Sequence, residues 1–310
     1  LMAMDTVKRT VEYARSLEEK YDKVFRFTIT TNGILLDDET IDYINREMSN
    51  VVLSLDGRGE VNDRMRPTVN GKGSYEIIVP KFQKLVAGRG TKDYYVRGTF
   101  TRDNLDFSKD VLHMGELGFR HVSVEPCSGP IDDPFAIREE ELSRVEEEYE
   151  KLAQLLMDRK DINFFHFNVD LAQGPCVIKR LRGCGAGCEY VAVTPDGDIY
   201  PCHQFVGKEE FRMGSVHDGS FDMEISGQFA QQNVYTRPAC RKCWARFYCS
   251  GGCSAANLLV NGDITRSNEV ACAMERKRLE CAIALNAIAA NLGVTQNTDC
   301  NNTGCNLCDR

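Results

Sequence analysis

No stretch of this 310-residue sequence approaches the roughly 18–20 consecutive apolar residues of a membrane-spanning helix. The opening "LMAMDTVKRTVEYARSLEEK" lacks the compact apolar segment of an export signal. A basic excess is missing too: 38 Lys and Arg stand against 46 Asp and Glu, for a net charge of −8. That argues against a nucleic-acid partner, which would need a basic face to meet phosphates. No short internal repeat or low-complexity segment occurs. Cysteine is scarce in the first half: Cys127 alone precedes residue 176, and thirteen more follow. The chain therefore reads as a cysteine-poor half joined to a metal-rich half, with no membrane partner.

What is present in the first half is alternation. Val7, Val11, Ala14 and Leu17 follow helical spacing, and "FRFTITTNG" (25–33) reads as a strand ending in a turn. Ile41, Ile44 and Met48 mark a second helix. Three more strands follow in "NVVLSLDG" (50–57), "YYVRGTFT" (94–101) and "HVSVEP" (121–126). A helix falls within 73–89, with Pro80 in its first turn or at a kink. Another ends near Gly118, a C′ stop. Strands alternating with helices imply parallel βαβ units, in a barrel or a doubly wound sheet. In both, chemistry gathers at the C-terminal strand ends. Residues 139–160 form an amphipathic helix with Leu142, Val145, Tyr149, Leu152 and Leu156 as its apolar stripe and the acidic run near Glu147 as its solvated face. A last helix covers about 274–291.

The second half is dominated by its thiols. "EYVAVTPDGDIYPC" is a hairpin turning at Pro195-Asp196-Gly197, which delivers Cys202 beside the loop of Cys184 and Cys188. Residues 240–253, "CRKCWARFYCSGGC", set four cysteines at C-x2-C-x5-C-x3-C spacing, and Cys272 follows. Eight thiolates suffice for two four-cysteine sites, and such sites select zinc or iron–sulfur clusters. Disulfides are the third reading, against which the close C-x2-C and C-x3-C pairs speak.

The order and spacing of Cys184, Gly197-x4-Cys202, the 240–253 run and Cys272 resemble the SPASM domain of radical S-adenosylmethionine (SAM) enzymes. The resemblance implies the C-terminal part of a partial (β/α)6 barrel (1–170), a SPASM domain (171–292) and a flexible cysteine-containing tail (293–310). It implies two auxiliary 4Fe–4S clusters with crossed ligands. Cys240, Cys243, Cys249 and Cys272 would hold the outer one, and Cys184, Cys188, Cys202 and Cys253 the inner one. Without Cys188 the inner cluster has an open coordination site. "TTNG" and "SLDG" resemble the family's strand ends, so Thr31, Asn32, Ser54, Asp56 and Arg66 are implied as cofactor-binding. An arginine fork suits a carboxylate such as that of SAM.

Longer segments, among them "NDRMRPTVNGKGSY", "FFHFNVD" and "GPCVIKRLRGCGAGCEY", are similar to the maturases of SCIFF peptides (six cysteines in forty-five residues). These install thioether cross-links in a cysteine-rich, ribosomally made precursor peptide. The implied reaction starts with SAM cleavage at a third 4Fe–4S cluster and hydrogen abstraction from the peptide. A substrate cysteine sulfur then joins the carbon, and the surplus electron leaves through the auxiliary clusters. An electron donor such as flavodoxin or ferredoxin is implied. The family's C-x3-C-x2-C motif and Gly-Gly-Glu-Pro strand end do not occur in the sequence, and the expectation is that they precede residue 1 in a longer protein. Cys127, Cys176, Cys281, Cys300, Cys305 and Cys308 receive no role, and His203 is a weak candidate for contact with cluster or substrate.

Overall fold

The computed structural model describes residues 1–130, 132–169, 171 and 181–291. Two compact units emerge: Leu1–Cys127 with Glu147–His166, and Ser128–Glu146 with Phe167–Arg310. The expected single boundary at 170 does not separate out residues 128–146, which group with the second unit. The expected tail, with Cys300, Cys305 and Cys308, lies outside the described residues, as does Cys176.

The first unit is built on a parallel sheet. β1 (Thr28–Thr31), β2 (Asn50–Ser54), β3 (Asp93–Phe100), β4 (His121–Pro126) and β5 (Asn163–Phe164) pair in chain order. Order without a switch point is the progression of a (β/α) barrel arc, not of a doubly wound sheet. β2 and β3 alternate strictly. Val51 and Leu53 of β2, and Val96 and Phe100 of β3, are fully buried on one face. The opposite face is mostly polar: it carries Asn50, Ser54, Arg97, Thr99, Glu125 and the buried Ser123, beside Val52 and Tyr95.

Helices cover the apolar face: α1 (Met4–Tyr21), α2 (Asp38–Glu47), α3 (Gly59–Met65), α4 (Tyr75–Ala87), α5 (Phe107–Glu116) and α6 (Leu142–Met157). Asp37 caps α2 by accepting from the Thr40 N–H at 2.9 Å. Gly118 ends α5 at φ +89°, with Gly118 N–H to Gly115 O at 2.9 Å and Phe119 N–H to Met114 O at 3.1 Å. Phe107 stacks on Phe100 with ring centroids 4.2 Å apart and touches Tyr149 at 4.8 Å.

Three expectations need correction. Of the two places expected for Pro80 the first turn is the wrong one: it sits in the second turn of α4, where the Glu76 carbonyl loses its helical donor. The acidic run of α6 is only partly a solvated face: Glu148 is buried and accepts from Ser108 N–H at 3.2 Å and from its hydroxyl. Its carboxylate meets the first turn of α5, where N–H groups lack helical partners. The last helix, α11 below, starts at Glu269 rather than 274.

The second unit carries an antiparallel meander of β6 (Ala192–Val193), β7 (Asp198–Tyr200), β8 (Gly214–Ser215) and β9 (Ser220–Phe221). The expected hairpin is its first pair, with Ala192 opposite Tyr200 and Gly197 at φ +86° in the turn. Helices follow: α7 (Met223–Ala230), α8 (Pro238–Arg241), α9 (Arg246–Cys249), α10 (Ser254–Asn261) and α11 (Glu269–Asn291). Tyr200, Cys202, Phe205, Phe229, Ala255 and Ile264 form the small core that joins meander to helices.

Candidate functional site

In the first unit, the ends of β1 and β2 hold the expected cofactor residues. Thr31 is buried, and its hydroxyl accepts from the Gly33 N–H at 3.1 Å. Asn32 turns the next residue by accepting from Ile34 N–H at 3.3 Å. Asp56 is 2 % exposed and receives both arms of Arg66, Nε at 2.8 Å and Nη2 at 3.0 Å, with the Thr99 N–H adding a third bond at 2.9 Å. Two of the five Arg66 donors are thus engaged by Asp56, and the others remain for a second anion. The Ser54 hydroxyl has no hydrogen-bond partner among the described residues; Ser54 pairs in register with Arg97 on the mostly polar face.

Sequence reasoning missed what steadies this loop. Asn62 is fully buried, donates to Ser74 Oγ at 3.0 Å, and Ser74 in turn donates to Arg66 O at 2.6 Å. Gly98 is required where β3 meets the loop: a Cβ there would lie 2.6 Å from Leu55 O. Also missed is a polar group on β4. Glu125 Oε1 lies 3.0 Å from His166 Nε2, 3.1 Å from Ser123 Oγ and 3.6 Å from Arg97 Nη2. Only the polarity of strand ends hinted at these residues, since their partners are distant in sequence.

In the second unit seven of the eight cysteines fall into two neighbourhoods. Four of them, Cys240, Cys243, Cys249 and Cys272, line one cavity of about 230 Å³. A single water needs only about 10–15 Å³ by this measure, so the space suits a many-atom group. Burial pushes the Cys249 thiol up, and Cys272 and Cys240 push it the same way. Cys272 is likewise raised by burial, then by Cys240, while Arg276 opposes. Among the described residues no set of three or more Cys, His, Asp or Glu side chains is placed to hold a single metal ion. Among them, too, none of the eight thiols is in a disulfide.

The other neighbourhood surrounds Cys202, which is buried in the small core. Burial raises its thiol, and Cys253 and Cys184 add to the rise. The Cys184 loop is brought in by Gly187, whose N–H bonds both Tyr190 O at 2.8 Å and Pro201 O at 3.0 Å. Gly183 lies against Ser250 and Gly252, next to Cys253. Cys188 instead donates its thiol to Gly185 O at 3.4 Å. His203 is exposed.

Cys249 and Cys253, only four residues apart, join different neighbourhoods for a backbone reason. Between them Ser250, Gly251 and Gly252 all have positive φ, at 62°, 89° and 74°. Three left-handed residues in a row reverse the chain between the end of α9 and the start of α10.

This arrangement has counterparts. Residues 184–244 match the SPASM family, described as an iron–sulfur cluster-binding domain. A cysteine-type anaerobic sulfatase-maturating enzyme of Clostridium novyi is 23 % identical over 269 residues, covering 82 % of this chain and 70 % of that protein. The mycofactocin maturase MftC of Mycolicibacterium smegmatis is 29 % identical over 251 residues, covering 74 % and 59 %. Among solved structures, native anSMEcpe with bound AdoMet superposes with a TM-score of 0.74 at 16 % identity, over 93 % of this chain and 81 % of that one. The chain thus shares the α/β parallel-sheet fold of that solved structure, residues 184–244 match the SPASM family, and maturases are among its relatives.

Proposed function

We propose that this chain belongs to a radical SAM maturase that installs thioether cross-links in a cysteine-rich, ribosomally made precursor peptide. The observation that carries the cluster part of this reading is the division of seven of the eight thiols into two neighbourhoods, one of them ringing a cavity of about 230 Å³. Cys240, Cys243, Cys249 and Cys272 would hold an outer 4Fe–4S cluster. Cys184, Cys202 and Cys253 would hold an inner one, with Cys188 as its fourth, exchangeable ligand. When bound, such clusters supply one-electron redox chemistry, and the protein supplies position and electrostatics.

On the barrel arc, Asp56 fixes Arg66 so that its remaining donors can fork onto the SAM carboxylate. Ser54 offers its hydroxyl to the same molecule, and Thr31 and Asn32 shape the turn beside it. A third 4Fe–4S cluster would serve SAM cleavage, and flavodoxin or ferredoxin is the proposed electron donor. The polar face bearing Arg97, Ser123 and Glu125 faces the peptide.

A second reading, a sulfatase-type maturase, is favoured by the named relatives. Incubating the full-length protein anaerobically with SAM and a six-cysteine peptide separates the two. Cross-linking predicts a loss of two hydrogens per link with the sulfur retained in the peptide. An unmodified peptide, alongside modification of a sulfatase sequence, overturns the thioether assignment.

A further inference from the structure

Arg237 is the most deeply buried charge near the cysteines, 3 % exposed, and it precedes Cys240 by one turn at the start of α8. Its guanidinium donates to Gly251 O, to Ser254 Oγ at 3.0 Å and to Ile264 O at 3.1 Å. All three acceptors are neutral. Its Nε has no partner, and among the described residues no carboxylate lies within ion-pair distance of it. Asp263, which Arg237 influences from beyond that distance, is exposed, and no Asp or Glu occurs between Glu224 and Asp263.

An arginine stays charged in any protein environment. A buried cation needs an anion beside it. The acceptors of Arg237 show where that anion belongs. Gly251 lines the outer cavity, and a Cβ added there would stand 3.0 Å from Arg237 Nη1, so the guanidinium lies directly behind the cavity wall. Gly251 and Ser254 also bracket Cys253, whose neighbourhood is the inner one. Burial pushes the Arg237 guanidinium down, and Cys240, Cys249, Cys253 and Cys272 oppose that push. Three of those belong to the outer group and one to the inner.

We propose that Arg237 is the shared counter-cation of the two cysteine groups, a positioning residue that raises the reduction potential of both clusters and of the outer one most. The inference rests on the cluster reading of the cysteines. Reduction adds one electron, delivered by a one-electron donor, to a site that is already anionic. A fixed positive charge favours the reduced form, and its removal disfavours it.

The test is EPR-monitored redox titration of the reconstituted full-length protein, with iron and sulfide quantified in every sample. Arg237→Lys keeps the charge and loses the fork; Arg237→Gln keeps polar contacts and loses the charge. The expected result is near-wild-type potentials for Arg237→Lys. For Arg237→Gln the outer cluster's reduction equilibrium falls at least tenfold, which is 59 mV for a one-electron couple. If Arg237→Gln does not fold, Arg237→His at pH 8, above the ordinary histidine pKa of about 6.5, serves as the neutral variant. Potentials that are unchanged in the neutral variant, or shifted equally in Arg237→Lys, overturn the proposal. A wild-type protein without iron and sulfide overturns the cluster reading itself, a distinguishable failure.

Discussion

At the scale of single residues, the loop after β2 is tied to α5 by Arg58. Its Nη2 lies 2.8 Å from Asp106 Oδ1 and its Nε 2.7 Å from Asp110 Oδ1. Burial alone would raise the Asp106 carboxyl, but hydrogen bonds from Arg58 and Lys109 bring it down to about 2. A depressed acid stabilises the fold above its ordinary pKa of 3.8, and that contribution is lost as pH falls through the folded value. The drop is worth about 2 kcal/mol at roughly 1.4 kcal/mol per pKa unit. Denaturant titrations from pH 5 to pH 2 should show a shallower loss of stability in Asp106→Asn than in wild type. Parallel profiles would remove the ion pair from the account. Nothing in the sequence announced this cluster, because its partners lie 48 and 52 residues apart. Asp56 and Arg66 were legible individually from their strand-end motif, yet their mutual fork was not.

At the scale of elements, the segment Ser250-Gly251-Gly252 decides how the cysteine run is shared out. Gly252 has φ +74° and open space around its Cα, so an added methyl meets no neighbour and costs only backbone strain. Gly252→Ala is expected to lose about 1–2 kcal/mol and to bind less iron. Gly227→Ala, in the interior of α7 with nothing near its Cα, is expected to be neutral or to gain about 0.4–1 kcal/mol. Thermal unfolding of the two variants beside wild type checks both, and equal effects would contradict the strain argument. Long periodic elements were readable in advance: the strands around Val51 and Val96 and the stripe of α6 satisfy a strict period. The two-residue strands β5, β8 and β9 carry no period to read, and they exist only through their neighbours in the sheet. Glu148 escaped notice for a related reason. A glutamate on an acidic helix face looks solvated until the first turn of α5 is found above it.

At the scale of the whole molecule, two units share the work proposed for the chain. The parallel sheet supplies a mostly polar face and a cofactor loop; the second unit supplies thiols in two neighbourhoods. The proposed division of ligands came to the sequence only through family resemblance, since spacing alone left open whether Cys249 and Cys253 share one site. The geometry adds the reason they part. The most direct test is iron and sulfide quantification, with Mössbauer spectra, on anaerobically purified Cys249→Ala and Cys253→Ala beside wild type. The account predicts about eight irons for the two clusters in the wild-type second unit. Each variant should lose a different cluster, Cys249→Ala the outer and Cys253→Ala the inner. Zinc in place of iron, or one shared cluster lost identically in both variants, would contradict it.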